Sequence, residues 1–256
     1  MQTESLLFEQ PCNEHIRVAL RAEHLFKQCD HFIQGSNLWD SNECISSLVD
    51  LINLLDRPEL RNKLTQEALR ILSNLKRMQQ TPNVDTSKLK FATEDLEKVV
   101  ETLRAHNGKF AQSLRENDFL NTIRQHHNSI SGISSFSIPS YHLWLQLPPE
   151  KRQVNVRSWL NQLADIRTII QILLNLIRQS GNPSKKVASN GFYQSNLDSQ
   201  APMQLIQIHL PLTSQAFPQT SVGRHGLSIH FLEASISSRP MQTNKDVEFQ
   251  LSCCVL

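Results

Sequence analysis

Seven glycines in 256 residues leave little material for the tight loops that cradle phosphates. Neither G-x-x-x-x-G-K-[ST] nor G-x-G-x-x-G occurs, and no G-x-S-x-G nucleophile elbow is present. A surplus of either charge is missing as well. Lys and Arg number 26 against 24 Asp and Glu, a net charge of +2, whereas a dedicated nucleic-acid binder shows a clear basic excess. Long apolar runs are absent. The most apolar helical stretch, near Ile166 to Ile177, is broken by Arg167, Gln171 and Asn175, so it is too short and too polar to span a bilayer. Met1 to Pro11 carries Glu4 and Glu9 and no cationic segment ahead of an apolar one, so no secretory signal is expected. The cysteines, Cys12, Cys29, Cys44, Cys253 and Cys254, are odd in number and irregular in spacing. Reduced thiols in a cytoplasmic protein are the expectation, with no disulfide framework.

Side chains able to do chemistry are equally thin. Cys12-x-x-His15 puts a thiolate and an imidazole on one helical turn, but no second pair completes a zinc site. His126 and His127 point to different helix faces. His209 and His230 fall on the polar faces of predicted strands, where solvent exposure or a ligand contact are both open. Cys253-Cys254-Val255-Leu256 is superficially like a prenylation box, yet its second position is another Cys and the segment simply finishes a strand. No catalytic residue, metal or cofactor is therefore expected, and the chain reads as a binding protein and not an enzyme.

What is present is a packable core, with 39% of residues hydrophobic. Ile16, Leu20, Phe26 and Ile33 recur at helical spacing until Gly35 and Ser36 break the pattern. Ser41 is placed to cap a helix bearing Ile45, Leu48, Val49, Ile52 and Leu55. Asp56-Arg57-Pro58-Glu59 reads as a capping box opening the next helix, which carries Leu60, Leu64, Ile71, Leu72, Leu75 and Met78. Thr81-Pro82-Asn83 is a turn, Asp85 or Ser87 caps the following helix, and Leu89, Leu96, Val99, Val100 and Leu103 form its stripe. Residues 57–106 thus make a long antiparallel helical hairpin. Further helices are predicted from Ser113 to His127 and from Pro148 to Arg178, with an extended insertion over 129–147. The apolar stripes exceed what one small bundle needs, which predicts a homodimer made mainly through the helical part.

The period changes after Ser180-Gly181-Asn182-Pro183. Ile206, Ile208, Leu210 and Leu212 alternate with polar residues, as do Leu227, Ile229 and Phe231, and Val247, Phe249, Leu251 and Cys253. These are antiparallel strands with one buried face. Leu6 and Phe8 share one face of a short N-terminal strand, which must join that sheet. The fold class is therefore α+β. A helical domain covers 12–180, and a β domain combines 1–11 with 181–256.

Positive charge gathers in two places. Arg57, Arg61, Lys63, Arg70, Lys76 and Arg77 lie against Glu59 and Glu67, and Arg224-His225 precede the strand holding His230. Such a run is either a solvated helix face or a surface for a carboxylate-bearing peptide, because Arg grips carboxylates with two parallel hydrogen bonds.

At these residues the sequence resembles the ZapD family of bacterial division proteins. Met1-Gln2-Thr3, Leu7-Phe8-Glu9 and Asn13-Glu14 match its start, and Leu54-Leu55-Asp56-Arg57 runs into Glu59-Leu60-Arg61 as it does there. Leu114-Arg115-Glu116, Ser135-Phe136 with Pro139, and His142-Leu143-Trp144-Leu145 also match. So do Leu176-Ile177-Arg178-Gln179-Ser180, Asn190-Gly191-Phe192-Tyr193-Gln194 and Phe249-Gln250-Leu251-Ser252-Cys253-Cys254. The resemblance implies a cytoplasmic homodimer, without cofactor, that binds the C-terminal tail of the tubulin-like GTPase FtsZ and cross-links its filaments at the midcell division ring. It implies a basic tail site near the domain junction, carried here by Arg57 and Arg61 with Arg224, His225 and His230. Gly226 and His230 stand where the family commonly has stronger cations. It implies neither membrane insertion nor nucleic-acid binding, although a nucleic-acid-binding or other regulatory module is the alternative reading of the residues.

Overall fold

The computed structural model describes residues 5–79, 86–129, 132–134, 136–197, 203–223 and 226–256. The chain divides into two compact units. One joins Met1–Arg17 to Leu174–Leu256, and the other is Val18–Leu173. The divisions thus fall inside helices, at 17/18 and 173/174, where the sequence suggests 12 and 180.

The helical unit is built on α1 (Glu14–Phe32), α2 (Leu38–Leu55), α3 (Leu60–Met78) and α4 (Thr86–Ala105). It continues through α5 (Gln112–Arg115), α6 (Asp118–His127), α7 (Pro139–Leu145), α8 (Pro149–Asn161) and the first part of α9 (Ala164–Gln179). Helix α2 is buried along its length through Cys44, Ile45, Leu48, Val49, Leu51, Ile52 and Leu55. Its cap is Asn37, whose side chain accepts from the Asp40 N–H at 2.8 Å, and not the expected Ser41. Helices α3 and α4 form the expected hairpin. Leu60, Leu64, Ile71 and Leu75 and, facing them in α4, Leu89, Leu96, Val99 and Leu103 are all buried within the single chain. Met78, the last residue of the predicted α3 stripe, is exposed, as are Leu69 and Phe91 of the same hairpin. The predicted turn at Thr81-Pro82-Asn83 and the candidate cap Asp85 lie outside the described residues.

Three local expectations give way to tertiary packing. The predicted 113–127 helix is two helices, because the Asn117 side chain accepts from the Leu120 N–H at 3.0 Å and restarts the backbone. The predicted 148–178 helix breaks at Gln162, whose N–H turns to Leu160 and Trp159 carbonyls. Residues 139–145, expected to be extended, form α7. Pro139 fits a first helical turn, and the helix buries Tyr141 and Trp144 among Phe119 and Trp159, with ring centroids 5.7–6.3 Å apart.

Arg152 holds this corner together. It is 4% exposed. Its Nε donates to Ser41 Oγ at 3.0 Å, Nη1 to the Leu145 and Leu147 carbonyls at 2.6 and 2.7 Å, and Nη2 to the Ser36 carbonyl at 2.8 Å.

The β unit is two packed antiparallel sheets. Its strands are β1 (Ser5–Pro11), β2 (Ser184–Ala188), β3 (Phe192–Asn196), β4 (Leu205–Pro211), β5 (Ala216–Val222), β6 (Gly226–Glu233), β7 (Met241–Gln242) and β8 (Val247–Cys254). One sheet has the order β1-β4-β8-β2; the other is β3-β6-β5 with β7 also on β6. The N-terminal strand joins the C-terminal sheet as expected, with Leu6 opposite Leu210 and Phe8 opposite Ile208. Ile206, Ile208, Leu210, Phe249 and Leu251 of the first sheet pack on Leu227, Ile229 and Phe231 of the second. The other face of the first sheet carries Glu9, which accepts two bonds of 2.8 Å from Arg178 and one of 3.0 Å from Gln207.

Candidate functional site

Helix α2 ends at Asp56, and Arg57-Pro58-Glu59 turns the chain into α3. The capping box expected here does not form. Glu59, not Asp56, precedes the helix, and it makes no side-chain cap. Asp56 is taken by long-range partners instead. Arg115 Nη1 donates to its two oxygens at 2.6 and 2.5 Å, and Lys109 Nζ lies 3.0 Å away. Burial pushes the Asp56 carboxyl up, but the hydrogen bonds from Arg115 and Lys109 outweigh it and hold the group below its usual 3.8.

One turn further, Arg61 Nη1 donates to the His106 carbonyl at 2.7 Å. That bond ties the start of α3 to the end of α4. The His106 ring stacks on Phe110, with centroids 4.6 Å apart. Asp56 thus draws in Lys109 and Arg115, Arg57 follows it in the chain, and Arg61 bonds the carbonyl of His106, three residues before Lys109. Arg57 is exposed at the turn. Guanidinium groups fixed in this way offer paired donors to carboxylates.

Arg57 lies in the turn after Asp56 and Arg61 in the first turn of α3, so both stand at the start of the hairpin. His230 belongs to the β unit, where its Nδ1 lies 2.9 Å from Gln242 Oε1 and its ring centroid 4.8 Å from that of Phe192. Arg224 and His225 lie outside the described residues. Lys109 and Arg115 escaped the site reading of the sequence, since they lie 53 and 59 residues beyond Asp56 and no periodicity links them. The only signal was the motif Leu114-Arg115-Glu116.

Comparison with known proteins decides the family. The family model described as ZapD, cell division protein, matches residues 20–230. The chain is 35% identical over 256 residues to "Cell division protein ZapD" of Coxiella burnetii (strain RSA 331 / Henzerling II), covering 99% of both chains. Against the ZapD of Methylococcus capsulatus it is 30% identical over 251 residues, covering 98% of both. Against that of Chromobacterium violaceum it is 35% identical over 248 residues, covering 96% of this chain and 98% of the relative. The chain belongs to the ZapD family of cell division proteins. Arg57, Arg61, Lys109 and Arg115 all lie within the span that the ZapD model matches.

Among the described residues, no group of three or more His, Cys, Asp or Glu is placed to hold a metal ion. No described helix is long and apolar enough to cross a membrane. The five cysteines are free. Burial, with the neighbouring Cys253 and Cys254, pushes the Cys12 thiol up to about 12, and burial pushes Cys254 to about 11. Cys29 is also raised, first by its hydrogen bond with Cys44 and then by burial.

Proposed function

We propose that this ZapD-family chain binds the C-terminal tail of FtsZ through the cations at the base of its helical hairpin. As a homodimer it then cross-links and bundles FtsZ filaments at the midcell division ring in the cytoplasm. It works by binding and not by catalysis. Family membership over the full chain supports the partner, and the set of Arg57, Arg61, Lys109 and Arg115 carries the site. Arg224, His225 and His230 are the proposed contribution of the β unit.

The chemistry suits an acidic, flexible peptide. Such a tail loses entropy on ordering, so a single site is expected to bind in the micromolar range. Two sites per dimer make the second engagement intramolecular, which bridges filaments while each contact stays reversible.

The test is a titration of labelled FtsZ tail peptide against the wild type and Arg57→Glu, with circular dichroism to check the fold. The substitution is expected to weaken binding by about 1.5–3 kcal/mol, the scale of a hydrogen bond to a charged group. Wild-type affinity should also fall as salt rises. Equal affinities for the two proteins would place the tail elsewhere. A duplex DNA control that bound as tightly as the peptide would favour the nucleic-acid reading.

A further inference from the structure

The Asn190-Gly191 turn lies between β2 and β3 and has φ of +50° and +70°. It is held on both sides. The Asn190 N–H donates to Asp246 Oδ1 at 2.9 Å, and the Gly191 carbonyl accepts from the Phe231 N–H at 2.8 Å. A Cβ on Gly191 would come within 2.6 Å of the Thr243 carbonyl, so only glycine fits there. The Asn190 carbonyl is thereby fixed in place, and Gln242 Nε2 donates to it at 2.9 Å.

That bond orients the Gln242 amide. A carbonyl only accepts, so the NH2 faces Asn190 and the amide oxygen faces His230, where Oε1 lies 2.9 Å from Nδ1. The amide oxygen also only accepts, so Nδ1 carries a proton in either charge state of the ring. The proton that comes and goes is therefore the one on Nε2. Neutral His230 presents a lone pair at Nε2, and charged His230 presents an N–H. Phe192 lies opposite His230 on β3 and Gln219 opposite it on β5. Strands β3, β5 and β7 contain no charged residue. The Tyr193 ring packs on Phe249, and Glu233, the other ionisable residue of β6, accepts from Thr243 Oγ1 at 2.7 Å. Asp246 is engaged by the Asn190 N–H, and Arg239 and Lys245 flank β7 in the chain.

We propose that Gln242 is a positioning residue that makes His230 a proton-gated contact, one that receives a carboxylate of the FtsZ tail only as the imidazolium. The inference rests on the reading that His230 contributes to the tail site. In the neutral ring the Nε2 lone pair and a carboxylate oxygen repel each other, and the only ring N–H is spent on Gln242. Protonation at Nε2 supplies both a charge and a donor, which gives a charge-assisted bond. Arginine stays charged at every relevant pH, so Arg57 holds its part of the tail regardless. The site then has a constant part and a part that strengthens with acid. Without the Gln242 amide, a neutral ring is free to carry its proton on Nε2 and to donate to a carboxylate uncharged, so the pH response should flatten.

Two measurements on the full chain test this. Long-range nitrogen–proton spectra of histidine-labelled protein at pH 8 read which ring nitrogen of His230 is protonated, and the expected answer is Nδ1. Labelled tail peptide is then titrated at pH 6 and pH 8 against wild type, His230→Gln and Gln242→Leu, with circular dichroism to check the fold. Acid should strengthen wild-type binding about three- to fivefold more than it strengthens binding by His230→Gln. Gln242→Leu should lose most of that extra gain. If His230→Gln does not fold, Gln242→Leu, which alters an exposed side chain, decides. A neutral ring protonated on Nε2 would overturn the proposal. So would equal pH responses in wild type and a folded variant, and tail binding that still depended on Arg57 would then leave the hairpin site standing. A wild type that binds the tail at neither pH would overturn the proposed function and this inference together.

Discussion

Replacing Arg152 with Met should be among the most damaging single changes in the helical unit, although Arg152 touches no candidate site residue. The side chain is almost fully buried, and its four acceptors are uncharged oxygens of Ser36, Ser41, Leu145 and Leu147. Bonds from a charged donor contribute about 1.5–3 kcal/mol each. Adding four of them overshoots, because the freed carbonyls regain water and the unfolded arginine is itself well solvated. A buried acceptor left without a donor costs about 1–3 kcal/mol, and with some of the four regaining water the expected loss is about 3–5 kcal/mol. It is a large part of a typical stability of about 5–15 kcal/mol. Lysine should recover less than half of it, because a compact ammonium cannot span acceptors that the guanidinium reaches in a fork. Equilibrium urea unfolding measures the loss, provided the denaturant slope is unchanged. A loss under about 1 kcal/mol for Arg152→Met would show that the four bonds do not organise this corner.

Asp56 should impose an acid limit on stability. Its carboxyl titrates below 3.8 in the folded chain, so its contribution is present above that pH and is lost as pH falls. Thermal melts of Asp56→Asn should lack that acid limb, and identical pH profiles for mutant and wild type would refute the role. The same change frees Arg115 and Lys109 and should tighten tail binding about two- to tenfold at low salt; unchanged or weaker binding would separate those two cations from the site. The thiols should be inert at neutral pH. The folded values of Cys12 and Cys254 lie above the usual 9.0, so the stability these two lend is complete below that pH and declines as pH rises toward about 11 to 12. Rapid alkylation of Cys12 in the folded protein at neutral pH would contradict this, and replacing all five cysteines should leave filament bundling in place.

The elements with a strong period were legible. The stripes of α1 to α4 and the alternation in β4, β6 and β8 follow from one buried face each, and β1 found its sheet because no other was available. Strands β2, β3 and β5 were not legible, since Ser184-Lys185-Lys186, Gln194-Ser195-Asn196 and Pro218-Gln219 alternate too weakly. Helix α7 was hidden because seven residues hold too few turns to show a period, and its stability comes from aromatic neighbours distant in sequence. The capping-box reading at Asp56 failed for a related reason. A local motif offered the carboxylate one set of partners, and Lys109 and Arg115 offered stronger ones. No local pattern contains that information.

The same competition shapes the candidate site. Arg61 is bound to the His106 carbonyl, and Arg115 is bound to Asp56. Each of these cations has part of its hydrogen-bonding capacity committed to the fold, so charge reversal at either mixes lost binding with lost stability. Arg57 sits at an exposed turn, so circular dichroism and a denaturant titration of Arg57→Glu must accompany the affinity measurement. Fixing Arg61 and Arg115 in advance lowers the ordering cost of receiving a carboxylate, while Asp56 offsets part of the attraction. The balance favours a preformed site of modest strength. In the proposed homodimer, such a site would give a bridge whose grip on two filaments depends on both contacts being made at once. Dilution or salt should then dissolve bundles steeply, and a folded Arg57→Glu variant should keep the wild-type oligomeric state in sedimentation equilibrium while losing the ability to bundle filaments; a variant that bundles as the wild type does would refute the proposed site.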